Sequence, residues 1–209
     1  MGEGGIRRQF FRVALPNRFL MADRDDVELM RLAGGGDERA FEELVERHQN
    51  LVIGTVAKML GGAEGAEDIA QQVFIRVWQS APRYRPDAKF TTWLLTIVRN
   101  LVFNETRRRR RGFFQSFEND DGSVPDIRDV LVRDAAVQLD ERERAEAVDA
   151  AIAALPETQR MAIILRRFEG MPYEDIAGVL KTSVPAVKSL LFRAREDLRE
   201  RLKGFLGEG

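Results

Sequence analysis

Apolar residues recur every three or four positions along two long stretches of this chain, and between those stretches the recurrence fails. That pattern predicts amphipathic helices rather than strands, so the fold class is all-α, with two small helical domains. In the first stretch a short helix over 25–33 ends at Gly34-Gly35-Gly36. Asp37 then caps a longer helix striped by Phe41, Leu44, Val45, Leu51, Val52, Val56, Met59 and Leu60. Gly61-Gly62 closes that helix, and a third runs over 64–79 with Ile69, Ala70, Val73, Phe74, Val77 and Trp78 inward. Pro82 and Pro86 mark a loop over 80–88. A fourth helix, from Phe90 to about Arg110, is striped by Trp93, Leu94, Ile97, Val98, Leu101 and Val102. Residues 112–140 hold Gly112, Gly122 and Pro125 among many acids, which predicts a flexible acidic linker. Helices return over 141–206. The expected units are therefore a first domain over 23–111, the linker, and a second domain over 141–206.

Lys and Arg number 33 and Asp and Glu 34, so the net charge is −1 and a nucleic-acid surface requires segregated charge. With no cysteine and His48 as the only histidine, thiolate and histidine metal clusters, disulfides and a Ser/His/Asp triad have no residues to use. No metal or cofactor is expected. No apolar run approaches the roughly 20 residues of a membrane helix, and the chain reads as cytoplasmic. Residues 1–22 mix four arginines with apolar residues in no tidy pattern. They are either a poorly ordered extension before a true start at Met21 or a basic arm for nucleic acid or membrane.

The segment from Tyr173 to Arg195 has the layout of a helix-turn-helix, with Ala177 as the small residue at the crossing and Ile176 and Leu180 beside it. Val184, Val187, Leu191, Ala194 and Leu198 form the buried stripe of the second helix, with Leu190 at its edge. The opposite face presents Pro185, Ala186, Lys188, Ser189, Phe192, Arg193 and Glu196, a set suited to base edges and phosphates. Lys181 occupies the turn position where glycine often supplies a left-handed backbone, at a cost of about 1 kcal/mol. In the first domain, Ile75 lies off the apolar stripe among Asp68, Gln71 and Gln72, which reads as a docking surface or as an incidental surface isoleucine. Asn100 and Asn104 sit one turn apart, and Arg107 to Arg111 form an uninterrupted cationic run whose self-repulsion calls for a polyanion. Phe90 and Trp93 stand where they could stack bases, although the stripe equally makes Trp93 a core residue.

These residues, in this order, resemble the extracytoplasmic-function sigma factors of the sigma-70 superfamily. The motifs concerned are Asp68 to Trp78, Phe90 to Arg108, Leu155-Pro156-Glu157 with Arg160, Tyr173 to Ala177, Val187-Lys188-Ser189 and Phe192 to Arg195. The resemblance spans about 25–202. It implies that Asp68, Gln71, Gln72 and Ile75 dock on the clamp coiled coil of core RNA polymerase, whose flap is a second implied contact. It implies that Asn100, Asn104, Arg107 and Arg108 face minus-ten DNA, and that the loop Asp87-Ala88-Lys89-Phe90, with Trp93, traps a flipped base. Pro185, Ala186, Lys188, Ser189, Phe192 and Arg193 would read the minus-thirty-five element, while Arg166 and Arg167 contact phosphate. Promoter DNA and an anti-sigma factor are the other implied partners, and the linker would follow the RNA exit path. Asn104 stands where the family often has Asp, Gln72 where it often has Glu, Pro185-Ala186 for the usual Gly-Thr, and Leu190 for a frequent Arg, which leaves the promoter sequence open. A stand-alone regulator would need a sensor or dimerisation domain, and an anti-sigma decoy would not need Lys188 and Arg193. A nuclease would need paired carboxylates at metal spacing. None of those fits the residues as well.

Overall fold

Helix α1 (Asp26–Gly34) begins where the Asp25 carboxylate accepts the Glu28 amide at 2.7 Å and stops in the triple glycine. Helix α2 (Glu38–Leu60) begins on Asp37, which accepts the amides of Arg39 and Ala40 and so satisfies two donors that have no partner within the helix. It ends at Gly61, left-handed at φ 78°. Helix α3 (Ala66–Ser80), a 3-10 turn (Ala81–Arg83) and helix α4 (Phe90–Phe117) complete the first half. The structure, a computed structural model, describes residues 24–117 and 138–206, and their regular elements are all helical.

Helices α1 to α4 pack around Leu29, Leu44, Val56, Ala70, Val73, Leu94 and Val98, all fully buried. Each of the leucine and valine side chains contributes about 1.5–3 kcal/mol relative to an exposed position. The stripe on α4 is rotated from the expected one. Leu95 is buried, while Trp93 and Ile97 are only partly covered. Helix α4 also continues through Gly112, where the sequence suggests an end, because one glycine costs only about 1 kcal/mol in a helix. Most of the expected linker, and the whole of 1–22, lie outside the described residues.

The second half contains α5 (Gln138–Ala153), α6 (Glu157–Arg167), α7 (Tyr173–Leu180), α8 (Val184–Arg201) and the short α9 (Lys203–Leu206). Met161, Ile164 and Leu165 of α6, Ile176 and Val179 of α7, and Val187, Leu191 and Ala194 of α8 interlock as its core. Helices α7 and α8 are joined through Lys181 at φ 53°, the one non-glycine residue with positive φ among those described. The strain expected at this position is therefore present. Lys181→Gly is expected to raise the stability of this half by up to about 1 kcal/mol, measured as a rise in midpoint on thermal unfolding; no change, or a fall, would show that the lysine is not strained.

The two helical domains pack against each other. Helix α7 lies on α4, and α5 and α6 lie on α2, so one continuous buried cluster runs through both halves. The physical reason is that the outer sides of α2 and α4 carry a second set of groups that periodicity does not reveal. Arg160 of α6 donates to the carbonyl of Met59 at 2.6 Å as well as to those of Ala153 and Leu155. Gly61 approaches α5 so closely that a Cβ there would stand 3.0 Å from the Ala153 methyl. Lys58 lies 4.7 Å from the ring centre of Phe168.

Candidate nucleic-acid interface

Helices α3 and α4 together build one side of the first half. Asp68 and Gln72 are exposed on α3, Gln71 is half-buried, and Ile75 is half-buried rather than free. Ile75 lies with Gln72, Arg76 and Gln79 along a groove that reaches Ile97 and Asn100 of α4. The residues expected to dock on protein therefore adjoin those expected to meet DNA. Asn100 and Asn104 are both exposed, and a depression of about 530 Å³ beside them is lined by Arg76, Arg99, Phe103 and Arg107. Arg76 and Arg99 escaped the sequence reading because neither falls in the arginine run. Only the packing of α3 against α4 brings Arg76 to the asparagines.

Above this groove the 3-10 turn and the following loop form a cavity of about 510 Å³ with α4. Its lining includes Arg83, Tyr84, Asp87, Ala88, Thr92 and Trp93. Phe90 is buried, packed on His48 at 4.9 Å and on Trp93 at 5.7 Å between ring centres, so it supports this cavity rather than offering an open stacking face. Tyr84 packs edge-on against Trp93 at 4.9 Å. Its hydroxyl and that of Thr92 are buried with no hydrogen-bond partner. Burial, followed by the carboxylates of Asp26, Asp25 and Asp87, pushes the Tyr84 phenol pKa up and keeps its proton in place as a donor. Such a lined hollow, with ring faces and unsatisfied hydroxyls, suits an unstacked base. The sequence pointed to Asp87, Ala88 and Trp93 here, and it missed Tyr84 and Thr92.

The arginine run is partly neutralised within the chain. Glu105 accepts from Arg108 at 2.7 and 2.9 Å and from Arg109 at 2.9 Å, while Arg107 and Arg111 are exposed. These hydrogen bonds hold the Glu105 carboxyl at about 2, against an ordinary 4.5. A depressed carboxylate pKa stabilises the fold above the unfolded value, and that contribution fades as pH falls from about 4.5 to about 2. Because Arg108 is largely exposed, solvent screens most of the effect. Glu105→Gln is expected to remove the acid-induced loss of α4 helicity in that window. It should also steepen the salt dependence of DNA binding by about one unit in log K against log salt per arginine released. Identical salt slopes for the two proteins would contradict this.

In the second half, α8 starts on Ser183, whose hydroxyl accepts the Ala186 amide, and Pro185 occupies its first turn. Val187, Leu191 and Ala194 face inward. Pro185, Lys188, Ser189, Phe192 and Arg193 are exposed on the outer side, with Ala186 half-buried beside them. Phe192 is 65% exposed, an unusual cost for an aromatic side chain with no partner. Arg166 is exposed and also makes contacts within the chain. It donates to the Met171 carbonyl at 2.9 Å and lies over the Tyr173 ring at 5.0 Å, which ties the turn before α7; Arg167 remains exposed.

The sequence matches the Sigma-70 region 2 family over residues 44–112 and the Sigma-70, region 4 family over residues 145–198. It is 34% identical to the RNA polymerase sigma-H factor of Pseudomonas aeruginosa, covering 90% of this chain and 100% of that one. It is 33% identical to the ECF RNA polymerase sigma-E factor of Haemophilus influenzae, covering 85% and 95%. The fold resembles that of the sigma factor RpoE of Bartonella quintana, solved with the anti-sigma factor NepR. The TM-score is 0.59 at 26% identity, over 78% of this chain and 96% of the other. Two helical halves with these matched regions, one carrying a groove with exposed asparagines and the other a helix-turn-helix, belong to an extracytoplasmic-function sigma factor of the sigma-70 family.

Proposed function

We propose that residues 23–111 bind core RNA polymerase and melt the minus-ten region, that 141–206 reads the minus-thirty-five element, and that 112–140 tethers the two. Asp68, Gln71, Gln72 and Ile75 dock on the clamp. Asn100, Asn104 and Arg107 meet the separating strand, and the cavity beneath Tyr84 takes a flipped base. Lys188, Ser189, Phe192 and Arg193 enter the major groove. The observation that carries this reading is the exposed quartet on α8, displayed by a helix pair whose inner face is fully buried.

The protein contributes recognition, not bond chemistry, and the polymerase supplies catalysis in the cytoplasm. Each half neutralises few phosphates by itself, so neither binds tightly alone. The scaffold of core enzyme raises their effective concentration at one promoter. An anti-sigma factor that covers these surfaces controls access, a reading supported by the NepR complex of the Bartonella quintana relative. Footprinting tests the proposal. Core enzyme with this chain should protect two promoter segments that neither component protects alone. Protection by the chain in the absence of core would instead favour a stand-alone regulator.

A further inference from the structure

We infer that His48, the only histidine in the chain, is a positioning residue for the base-sized cavity, acting through Phe90 while Asp26 fixes its ring. It rests on the reading of that cavity as the trap for a flipped base. Among the described residues His48 is the one buried side chain able to carry a charge. A position needed only for packing favours leucine or phenylalanine, because burying a polar ring costs free energy unless the ring is paired. Here the pairing is specific. The imidazole Nε2 donates to Asp26 Oδ2 at 3.0 Å. The other oxygen of Asp26 accepts from Arg47 at 3.3 Å, and Arg47 also donates to the Arg24 carbonyl at 2.6 Å and to Glu43. Both oxygens of Asp26 are thus engaged, and a satisfied network of this kind holds the imidazole in one orientation.

That orientation is passed on through aromatic contacts. The imidazole lies 4.9 Å from the Phe90 ring centre at an angle of 52°. Phe90 in turn stands 5.7 Å from Trp93 and, edge-on, 6.2 Å from Tyr84. Trp93 and Tyr84 line the cavity, and Phe90 and His48 form successive layers behind them. Ring pairs have directional preferences as well as apolar area, so the tilt of one ring constrains the next. Phe90 is also the first residue of α4, where the loop 87–89 enters the helix. A displaced Phe90 ring therefore disturbs the loop wall and the helix wall together. A flipped base has lost its stacking in the duplex, and only walls already in place can offset that loss.

The test uses holoenzyme assembled from core polymerase and the full chain. Its ligand is a single-stranded minus-ten oligonucleotide from a promoter that the holoenzyme transcribes, together with copies that each carry one abasic position. In the parent, the abasic position with the largest loss of affinity marks the trapped base. His48→Leu, which keeps the site apolar, should weaken the intact oligonucleotide about tenfold, a part of what stacking one base contributes. At the marked abasic position His48→Leu and the parent should bind equally, since no base is left to hold. Asp26→Ala should reproduce this pattern, and Asp26→Asn, which keeps an acceptor for His48, should recover most of the loss. Equal weakening on intact and abasic oligonucleotides would show a general structural defect, and no weakening by either His48→Leu or Asp26→Ala would show a core histidine alone. Either result overturns the proposal and leaves the base trap standing. A parent with no position more sensitive than the rest removes the trap, and the proposal with it.

Discussion

Chains carrying both Lys188→Ala and Arg193→Ala are expected to give no promoter-dependent transcripts while still binding core polymerase. Both side chains are exposed on α8, and the buried contacts that fold the helix pair come from Val187, Leu191 and Ala194, so neither change disturbs folding. A good base or phosphate contact contributes about 1–3 kcal/mol, and losing two lowers promoter affinity on the order of a hundredfold or more. The groups proposed to face the clamp lie on α3 and are untouched. The measurement is run-off transcription alongside a core-binding assay and circular dichroism. Unchanged promoter selection would remove α8 from its recognition role.

The other large effect belongs to Arg160. Its guanidinium donates to the carbonyls of Met59, Ala153 and Leu155, joining the ends of α2 and α5 to the start of α6. Hydrogen bonds from a charged donor contribute about 1.5–3 kcal/mol, and deleting it leaves carbonyls at two helix ends without their partner. Arg160→Ala is expected to cost about 3 kcal/mol or more in chemical denaturation. Arg160→Lys recovers only part of this, because one ammonium cannot span three divergent acceptors. A loss below about 1 kcal/mol would mean that water replaces the guanidinium at little cost.

Much of this architecture is legible in the residues, because helix periodicity, caps and glycine stops are local signals. Asp37 caps α2 as its sequence suggests, Tyr173–Leu180 forms the first helix of the expected helix-turn-helix, and Lys181 adopts the left-handed backbone foreseen for it. What escaped the sequence was non-local. Arg76, Tyr84 and Thr92 become site candidates only when α3, the loop and α4 converge. The contacts of Arg166 with the Met171 carbonyl and the Tyr173 ring likewise have no signal in the sequence. The docking of α7 on α4 depends on Gly178, Thr92 and Arg99, three residues with no shared pattern along the chain. Charge segregation misled in one respect as well, since Glu105 interrupts the cationic run in space though not in sequence.

The most direct measurement is run-off transcription by core RNA polymerase on a promoter library, with and without the purified chain. Addition of the chain should yield new transcripts whose start points share two sequence elements at a fixed spacing. An identical transcript set with and without it, together with no association between the chain and core enzyme, would contradict the assignment.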